Sequence, residues 1–152
     1  MLTIGDKAPT FTSVDQDGNP VKLEDFKGKK LILYFYPKDN TPGCTAEACN
    51  LNENLASLTS KGFAILGVSP DPASSHLKFI AKFNLGFRLI ADVEKLVAKT
   101  YEAWGEKSMY GKKYEGILRT TYIIDEDGTI SHIFKKVDTK NHTAQILKEI
   151  DK

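Results

Sequence analysis

Two cysteines five residues apart are the residues of this sequence best suited to chemistry. Cys44 and Cys49 are its only cysteines. A thiolate is a strong nucleophile toward peroxides and disulfides, so the pair suggests redox chemistry. A structural disulfide is the weaker interpretation, because a chain of 152 residues can bury a sizeable core without one. A bridge that closes so short a loop also constrains the unfolded chain very little.

The residues before Cys44 predict that it lies at the start of a helix. The apolar run 31–36 is typical of a strand buried on both faces, and Pro37 ends it. Pro42 suits the first turn of a helix that we expect to extend to about Ser60. A helix N-terminus offers unpaired N–H groups and the positive end of the dipole, and both favour a thiolate. The alternative is that Cys44 is a small buried hydrophobe, as many free cysteines are.

A helix end alone contributes only about 1–2 kcal/mol to the stability of a thiolate, so a cation or further donors are needed. Arg119 is the candidate cation, because it begins a later core strand that a neighbouring position in the sheet can bring beside Cys44. Thr41 can add a hydroxyl hydrogen bond.

The spacing of the two cysteines has a mechanical consequence. On one intact helix, the Cα atoms of Cys44 and Cys49 lie roughly 8.7 Å apart, from helical rise and radius. A disulfide needs a Cα separation of about 4.4–6.8 Å. The two thiols therefore bridge only if the helix unwinds, which suits a switch better than a static staple. The sequence also lacks the Cys-x-x-Cys pattern of thioredoxin-type oxidoreductases. Two unrelated cysteines on different helix faces remain an open alternative.

Strand and helix patterns alternate along the whole chain, which we expect to form a single domain over residues 1–152. Alternation predicts an α/β fold of the thioredoxin-like plan, with a central mixed sheet flanked by helices. The carboxyl end of the strand 31–36, where such sheets place their sites, leads directly to Cys44. We expect extended stretches within 11–23, core strands at 31–36, 63–68, 87–91, 119–124 and 129–136, helices at 42–60, 74–83, 93–103 and 141–150, and a loop at 105–116.

The charge balance excludes some partners. There are 21 basic and 20 acidic residues, for a net charge of +1. A nucleic-acid or membrane-surface protein favours a strong basic excess, so neither partner is expected. No apolar run approaches the roughly 20 residues of a membrane span, and the first residues do not resemble a secretory signal, so we expect a cytoplasmic protein.

Several motifs in order resemble one protein family. The string Phe35-Tyr-Pro-Lys-Asp-Asn-Thr-Pro-Gly-Cys-Thr-Ala-Glu-Ala-Cys49 resembles the signature of the Q-type, or bacterioferritin comigratory protein, peroxiredoxins. Its Pro-x-x-x-Thr-x-x-Cys core is shared across peroxiredoxins, and the second cysteine five residues later marks this subgroup. The opening Gly5-Asp-Lys-Ala-Pro-Thr-Phe11 and the late segment Lys107-Ser-Met-Tyr-Gly-Lys-Lys-Tyr-Glu-Gly-Ile-Leu-Arg119 resemble the same family.

The resemblance implies an atypical two-cysteine thiol peroxidase that reduces hydrogen peroxide and organic hydroperoxides. It implies that the Cys44 thiolate attacks the peroxide and becomes a sulfenic acid, while Thr41 and Arg119 hold the peroxide and Pro37 shields the site. Cys49 then forms the 44–49 disulfide, which thioredoxin or a similar dithiol protein reduces. No metal or organic cofactor is implied, and a monomer or weak dimer is expected.

Two other functions fit the same residues. A thiol-disulfide oxidoreductase on this fold is disfavoured by the missing Cys-x-x-Cys, whereas a non-enzymatic redox sensor needs the same reactive thiolate as the enzyme. Glu47, in the first helical turn, either stabilises the helix through its dipole or tunes Cys49 and the opening of the helix. The three histidines have no metal-ligand spacing.

Overall fold

A five-stranded mixed sheet forms the centre of the protein. The structure, a computed structural model, describes residues 1–151. The spatial order of the central strands is β5-β4-β3-β8-β9. β3 pairs parallel with β4 and antiparallel with β8, so the predicted mixed sheet is confirmed. The strands are β1 Thr12–Val14, β2 Pro20–Lys22, β3 Lys30–Phe35, β4 Phe63–Ser69, β5 Arg88–Ala91, β6 Trp104–Met109, β7 Lys112–Ile117, β8 Thr120–Ile124 and β9 Ile130–Phe134.

Both faces of this sheet are covered, which explains the continuous apolar run of β3. Alternate side chains of β3 enter two separate cores. Leu31, Leu33 and Phe35 face one core, and Ile32 and Tyr34 face the other, which also contains Cys44. Cys44 therefore lies over the middle strand of the sheet.

The helices are α1 Pro42–Glu53, α2 Leu55–Ser60, α3 Ala73–Phe83, α4 Leu96–Thr100 and α5 His142–Ile150. The single helix expected over 42–60 is wrong, because it is interrupted at Asn54. The Asn54 side-chain amide donates to the carbonyl of Asn50 at 2.8 Å. Asparagine side chains of this kind compete with the backbone for helical hydrogen bonds.

The expected helix at 93–103 is also too long, because only Leu96–Thr100 is helical. Lys95 and Glu102 have positive φ on either side of it. The buried carboxylate of Asp92 instead accepts hydrogen bonds from the backbone N–H groups of Val97 and Ala98 and so sets where α4 begins.

The apolar residues of α3 predict that Leu77, Ile80 and Ala81 form its inward face, and this prediction is wrong for two of the three. Leu77 and Ala81 are exposed, whereas His76 and Phe79 are buried. A buried histidine is stable here because both ring nitrogens of His76 have hydrogen-bond partners.

The segment expected to be a loop, 105–116, is an antiparallel hairpin of β6 and β7. Its turn is Tyr110-Gly111, where both residues have positive φ, as a two-residue hairpin turn requires. The hairpin is mostly exposed, so its strands lack the apolar alternation that reveals a half-buried strand. Among the helices described, none is long and apolar enough to cross a membrane.

Candidate functional site

Cys44 lies in the first turn of α1, as the sequence predicts. Thr41 is the N-cap and Pro42 the first helical residue. Cys44 is 1% exposed and belongs to the buried stripe of the helix, with Glu47, Ala48 and Leu51. These positions recur at spacings of three and four, so they share the face that packs on the sheet. The unpaired N–H groups of the first turn are therefore close to the thiol sulfur.

Arg119 reaches the sulfur from the neighbouring strand. Thr120, the next residue, pairs with Phe35 at the carboxyl end of β3, which places Arg119 beside the start of α1. Its Nη2 donates to Cys44 Sγ at 3.3 Å, and its Nη1 donates to Glu47 Oε1 at 2.8 Å. The guanidinium therefore bridges the thiol and a buried carboxylate, as required of the predicted cation.

Gly43 makes room for this approach. A Cβ atom at position 43 would lie 3.3 Å from Arg119 Nη2, which is closer than an ordinary van der Waals contact. Any side chain there would press on the guanidinium. A glycine at this position thus lets Arg119 cross the first turn of α1 and reach Cys44.

The electrostatics of the site favour a charged guanidinium. Burial alone lowers the pKa of Arg119, but its interactions with Cys44 and Glu47 outweigh burial and raise it. The pKa of Lys107, on β6, is lowered by burial and by repulsion from Arg119. Positive charge is thus concentrated where a thiolate, and later the leaving oxygen of a peroxide, needs it.

Thr41 and Pro37 lie in the segment between β3 and α1. The Thr41 hydroxyl donates to the carbonyl of Lys38 at 2.9 Å rather than to Cys44. The hydrogen bond to the thiol that the sequence suggests is therefore absent in this state, but the hydroxyl oxygen keeps lone pairs that can accept. Pro37 is half-buried, and its shielding role stays a prediction.

Cys49 is on the same intact helix but outside the buried stripe. It is half-exposed, and both cysteines are free thiols. Five helical residues rotate a side chain by about 140° from Cys44, so the thiols point in different directions. Burial and the nearby charge of Glu53 raise the pKa of the Cys49 thiol. The described state is thus the reduced, fully wound form in which the two sulfurs cannot react.

A buried ion pair fixes the segment before the helix. Asp39 Oδ2 lies 2.7 Å from His76 Nδ1, and Tyr36 and Ser75 hydroxyls donate to the same carboxylate at 2.6 and 2.8 Å. His76 Nε2 faces the carbonyl of Ile90 at 2.8 Å, so it must carry a proton. Burial raises the pKa of Asp39, but these hydrogen bonds outweigh burial and lower it. Asp39 is therefore ionised, and His76 donates from both nitrogens.

A second histidine–carboxylate contact lies on the other side of Cys44. Glu47 and His142 are both fully buried, with Glu47 Oε2 3.6 Å from His142 Nε2. Sequence reasoning considered Glu47 only as a helix or Cys49 modulator and missed both its ion pair with Arg119 and its neighbour His142. Nearly a hundred residues separate the two, and no local pattern in the sequence indicates that they meet.

None of the three cavities that lie near the sheet in the described part of the chain includes the Cys44 thiol in its lining. One of about 400 Å³ is lined by Arg119, Lys107 and Tyr122, among others. Another of about 190 Å³ lies near the start of β3 and the end of β8, where Leu31 and Ile124 form part of its wall. Only the first shares a residue with the site around Cys44.

Comparisons with known proteins find relatives in sequence and in structure. The family model described as AhpC/TSA family matches residues 4–133. Peroxiredoxin Bcp of Escherichia coli (strain K12) is 44% identical over 146 residues, which cover 96% of this chain and 94% of that protein. A mutant of PrxQ from Xylella fastidiosa superposes with a TM-score of 0.92 at 30% identity, covering 99% of this chain and 96% of that one. The bacterioferritin comigratory protein of Xanthomonas campestris, studied for alkyl peroxide reduction, gives a TM-score of 0.86 at 33% identity, covering 93% and 90%.

Proposed function

Since this chain belongs to the AhpC/TSA family and is a thioredoxin-fold thiol peroxidase, we propose that Cys44 is its attacking residue and Cys49 its resolving residue. The observation that supports this most strongly is the Arg119 guanidinium, which donates to Cys44 Sγ at 3.3 Å at the start of α1. A cation and a helix N-terminus that converge on one buried sulfur are the two conditions that favour a thiolate.

The chemistry begins with attack of the Cys44 thiolate on the terminal oxygen of a hydroperoxide. The new S–O bond forms as the O–O bond breaks, leaving a sulfenic acid on Cys44 and an alkoxide or hydroxide that takes up one proton. Arg119 stabilises the negative charge that develops on the leaving oxygen. Thr41 accepts a hydrogen bond from the peroxide, and Pro37 limits the access of bulk water.

The second step joins the two cysteines. The Cys49 thiol attacks the sulfenic sulfur, water leaves, and a disulfide between Cys44 and Cys49 forms. Because an intact helix keeps their Cα atoms roughly 8.7 Å apart, α1 has to unwind between them. A dithiol protein of the thioredoxin type then reduces the disulfide by thiol–disulfide exchange. Hydrogen peroxide and organic hydroperoxides are the proposed substrates.

A peroxide-consumption assay with thioredoxin and its reductase tests the residue assignment. We expect Cys44→Ser to be inactive, since serine is a far weaker nucleophile at neutral pH. We expect Cys49→Ser to consume one equivalent of peroxide and then stop as the sulfenic acid. Full turnover by Cys44→Ser would overturn the assignment, and so would multiple turnover by Cys49→Ser with the same reductant.

A further inference from the structure

The steps proposed above leave one pair of buried titratable groups without a role. Glu47 and His142 are both fully buried. Only two buried side-chain polar atoms in the described part of the chain lack a hydrogen-bond partner, and Glu47 Oε2 is one of them. A fully buried carboxylate oxygen without a donor is costly, so its protonation state needs an explanation.

The hydrogen bonds around His142 determine where its proton sits. Gln145 donates from Nε2 to the carbonyl of Lys136 and accepts at Oε1 from the N–H of Asp138, which fixes the orientation of its amide. His142 Nδ1 lies 2.9 Å from that Oε1 and must therefore donate to it. In the neutral ring Nε2 is then an acceptor, and the Thr121 hydroxyl donates to it at 2.9 Å.

When Glu47 is ionised and His142 is neutral, no hydrogen lies between Glu47 Oε2 and His142 Nε2. Glu47 Oε1 accepts from Arg119, while Oε2 faces the lone pair of His142 Nε2 at 3.6 Å. Two acceptors facing each other in a buried site are repulsive. One proton on Glu47 Oε2 removes this repulsion, so the geometry favours a pair that holds one proton. A hydrogen bond from Oε2 to Nε2 needs a closer approach than 3.6 Å and replaces the one that Thr121 donates.

The groups packed around Glu47 agree with a protonated carboxyl. Burial raises the pKa of Glu47 to about 7, although Arg119 opposes the rise. Burial lowers the pKa of His142 to about 4, so the proton belongs on Glu47. The other titratable or charged groups nearby are Tyr34 on β3, Cys44 on α1 itself, Lys107 beside Arg119, and Asp138, whose charge opposes the lowering of the His142 pKa.

Glu47 lies between the two cysteines on the part of α1 that must unwind. This step rests on the proposed function, in which Cys44 and Cys49 form a disulfide. We propose that the proton held by Glu47 and His142 is a latch that keeps α1 wound, which makes Glu47 a positioning residue for the resolving step. When the proton is lost, a carboxylate is left buried opposite an acceptor, and the unwound helix exposes it to water.

The direction of the pH effect follows from linkage. In the wound helix, the Glu47 carboxyl keeps its proton up to about pH 7. In the unwound helix, where Glu47 is in water, it loses the proton near the ordinary pKa of a glutamate. The wound form is therefore favoured at low pH and loses this advantage as the pH rises through about 7. Any exposure of His142 on unwinding acts in the opposite sense, because a freed imidazole gains a proton below its ordinary pKa.

Amide hydrogen exchange on the reduced protein tests the latch without any peroxide. In wild type we expect the protection of the α1 amides 45–50, measured relative to that of α2, to decrease as the pH rises from roughly 5 to 8. The expected decrease is about tenfold to a hundredfold. Glu47→Gln mimics the protonated carboxyl, so its protection is expected to stay high at every pH. Glu53→Gln is the matched control on an exposed position of the same helix, and it should keep the wild-type profile.

The kinetic counterpart separates the latch from the proposed function. A single-turnover experiment measures sulfenic acid formation and the later loss of the Cys49 thiol as separate rates. We expect Glu47→Gln to remove the part of the second rate's rise with pH that is centred near pH 7, while the rise that comes from ionisation of the Cys49 thiol remains. A flat wild-type exchange profile, or Glu47→Gln and Glu53→Gln profiles that coincide, would overturn the latch even if the disulfide forms. Absence of any disulfide, with the pH-dependent exchange intact, would instead overturn the proposed resolving role of Cys49.

Discussion

Two histidine–carboxylate pairs flank Cys44, and they differ in how completely they are hydrogen-bonded. In the segment before α1, Asp39 and His76 approach to 2.7 Å, and hydroxyl groups fill the remaining sites of the carboxylate. Within α1, Glu47 and His142 are 3.6 Å apart, and one carboxylate oxygen has no donor. Both pairs are buried, so solvent does not explain the difference.

The difference indicates two mechanical roles. A buried ion pair with every atom satisfied is strongly destabilising to break, so we expect the Asp39–His76 pair to hold the segment 37–41 in place during the reaction. The Glu47–His142 pair is easier to separate, because it is left with two facing acceptors once Glu47 loses its proton. In the proposed mechanism, the segment that carries Pro37 and Thr41 therefore stays in place while the helix that carries both cysteines unwinds.

Breaking the anchor is expected to have the largest effect. Asp39→Asn removes the charge that balances His76, so we expect the free energy of unfolding to fall by about 3 kcal/mol. Urea denaturation at neutral pH measures the loss. Asp71→Asn is the matched control, because an amide oxygen can still accept from Asp39 N–H and the Ser69 hydroxyl. Equal losses in the two variants would contradict the special role of the Asp39–His76 pair.

The Glu47–His142 pair is expected to make the free energy of unfolding depend on pH, by less than the loss expected for Asp39→Asn. The pKa of Glu47 is raised from 4.5 to about 7, so its contribution to stability is complete below about pH 4.5 and is lost as the pH rises through 7. The full difference corresponds to roughly 3 kcal/mol, of which we expect about 2 kcal/mol between pH 5 and pH 7.5.

Urea denaturation at each pH tests this prediction through the difference in the free energy of unfolding between wild type and Glu47→Gln. The opposing titration of His142, whose pKa is about 4 in the folded protein, is present in both proteins and cancels in the difference. A difference that stays constant from about pH 5 to pH 7.5 would show that Glu47 is already ionised in the folded protein.

How much of this site the sequence predicts depends on the range of the interactions. The helix start at Cys44 follows from a local pattern, in which a buried strand ends at Pro37 and Pro42 begins a helix. The Cys44–Arg119 contact follows from strand order, since an arginine that starts a core strand lies near the end of its neighbour. The family resemblance pointed to both residues, and the structure brings them within 3.3 Å.

The features that sequence reasoning missed depend on side-chain contacts over long distances in the chain. Asn54 ends α1 through one hydrogen bond to Asn50, which a continuous apolar stripe does not reveal. His76 is buried only because Asp39, 37 residues earlier, and the carbonyl of Ile90 meet it. Without these partners, burying His76 is unfavourable and an inward-facing Leu77 is the better prediction.

A third prediction concerns the Arg119 guanidinium, which donates to both Glu47 and Cys44. In Gly43→Ala, the new methyl group would lie 3.3 Å from Arg119 Nη2 and displace it from Cys44. We expect sulfenic acid formation to slow about fivefold to tenfold, equivalent to about 1 kcal/mol, with little change in stability. Rapid-mixing measurement of peroxide consumption in a single turnover follows this step. Gly62→Ala is unsuitable as a control because Gly62 has a positive φ. Ala46→Gly makes the opposite substitution, alanine to glycine, on the same helix. An unchanged rate in Gly43→Ala would show that Arg119 does not need this approach.

The smallest expected effect concerns the competition for His142 Nε2. Thr121 donates to the same lone pair that faces Glu47. Thr121→Val removes this donor and leaves the nitrogen to Glu47, so we expect protection of α1 amides near pH 6 to rise about twofold to threefold. Thr120→Val is the neighbouring control, since the Thr120 hydroxyl donates to the carbonyl of Leu118 and not to His142. A fall in protection in Thr121→Val alone would contradict the competition.

The central claim is that α1 is wound in the reduced protein and unwound when Cys44 and Cys49 are joined. Hydrogen exchange of the helix 42–53, compared between the reduced protein and the protein oxidised with one equivalent of peroxide, tests it most directly. We expect the amides between the two cysteines to lose most of their protection on oxidation, while those of β3 and of the Asp39–His76 anchor keep theirs. Equal protection of α1 in the two forms, with the disulfide present, would contradict the claim.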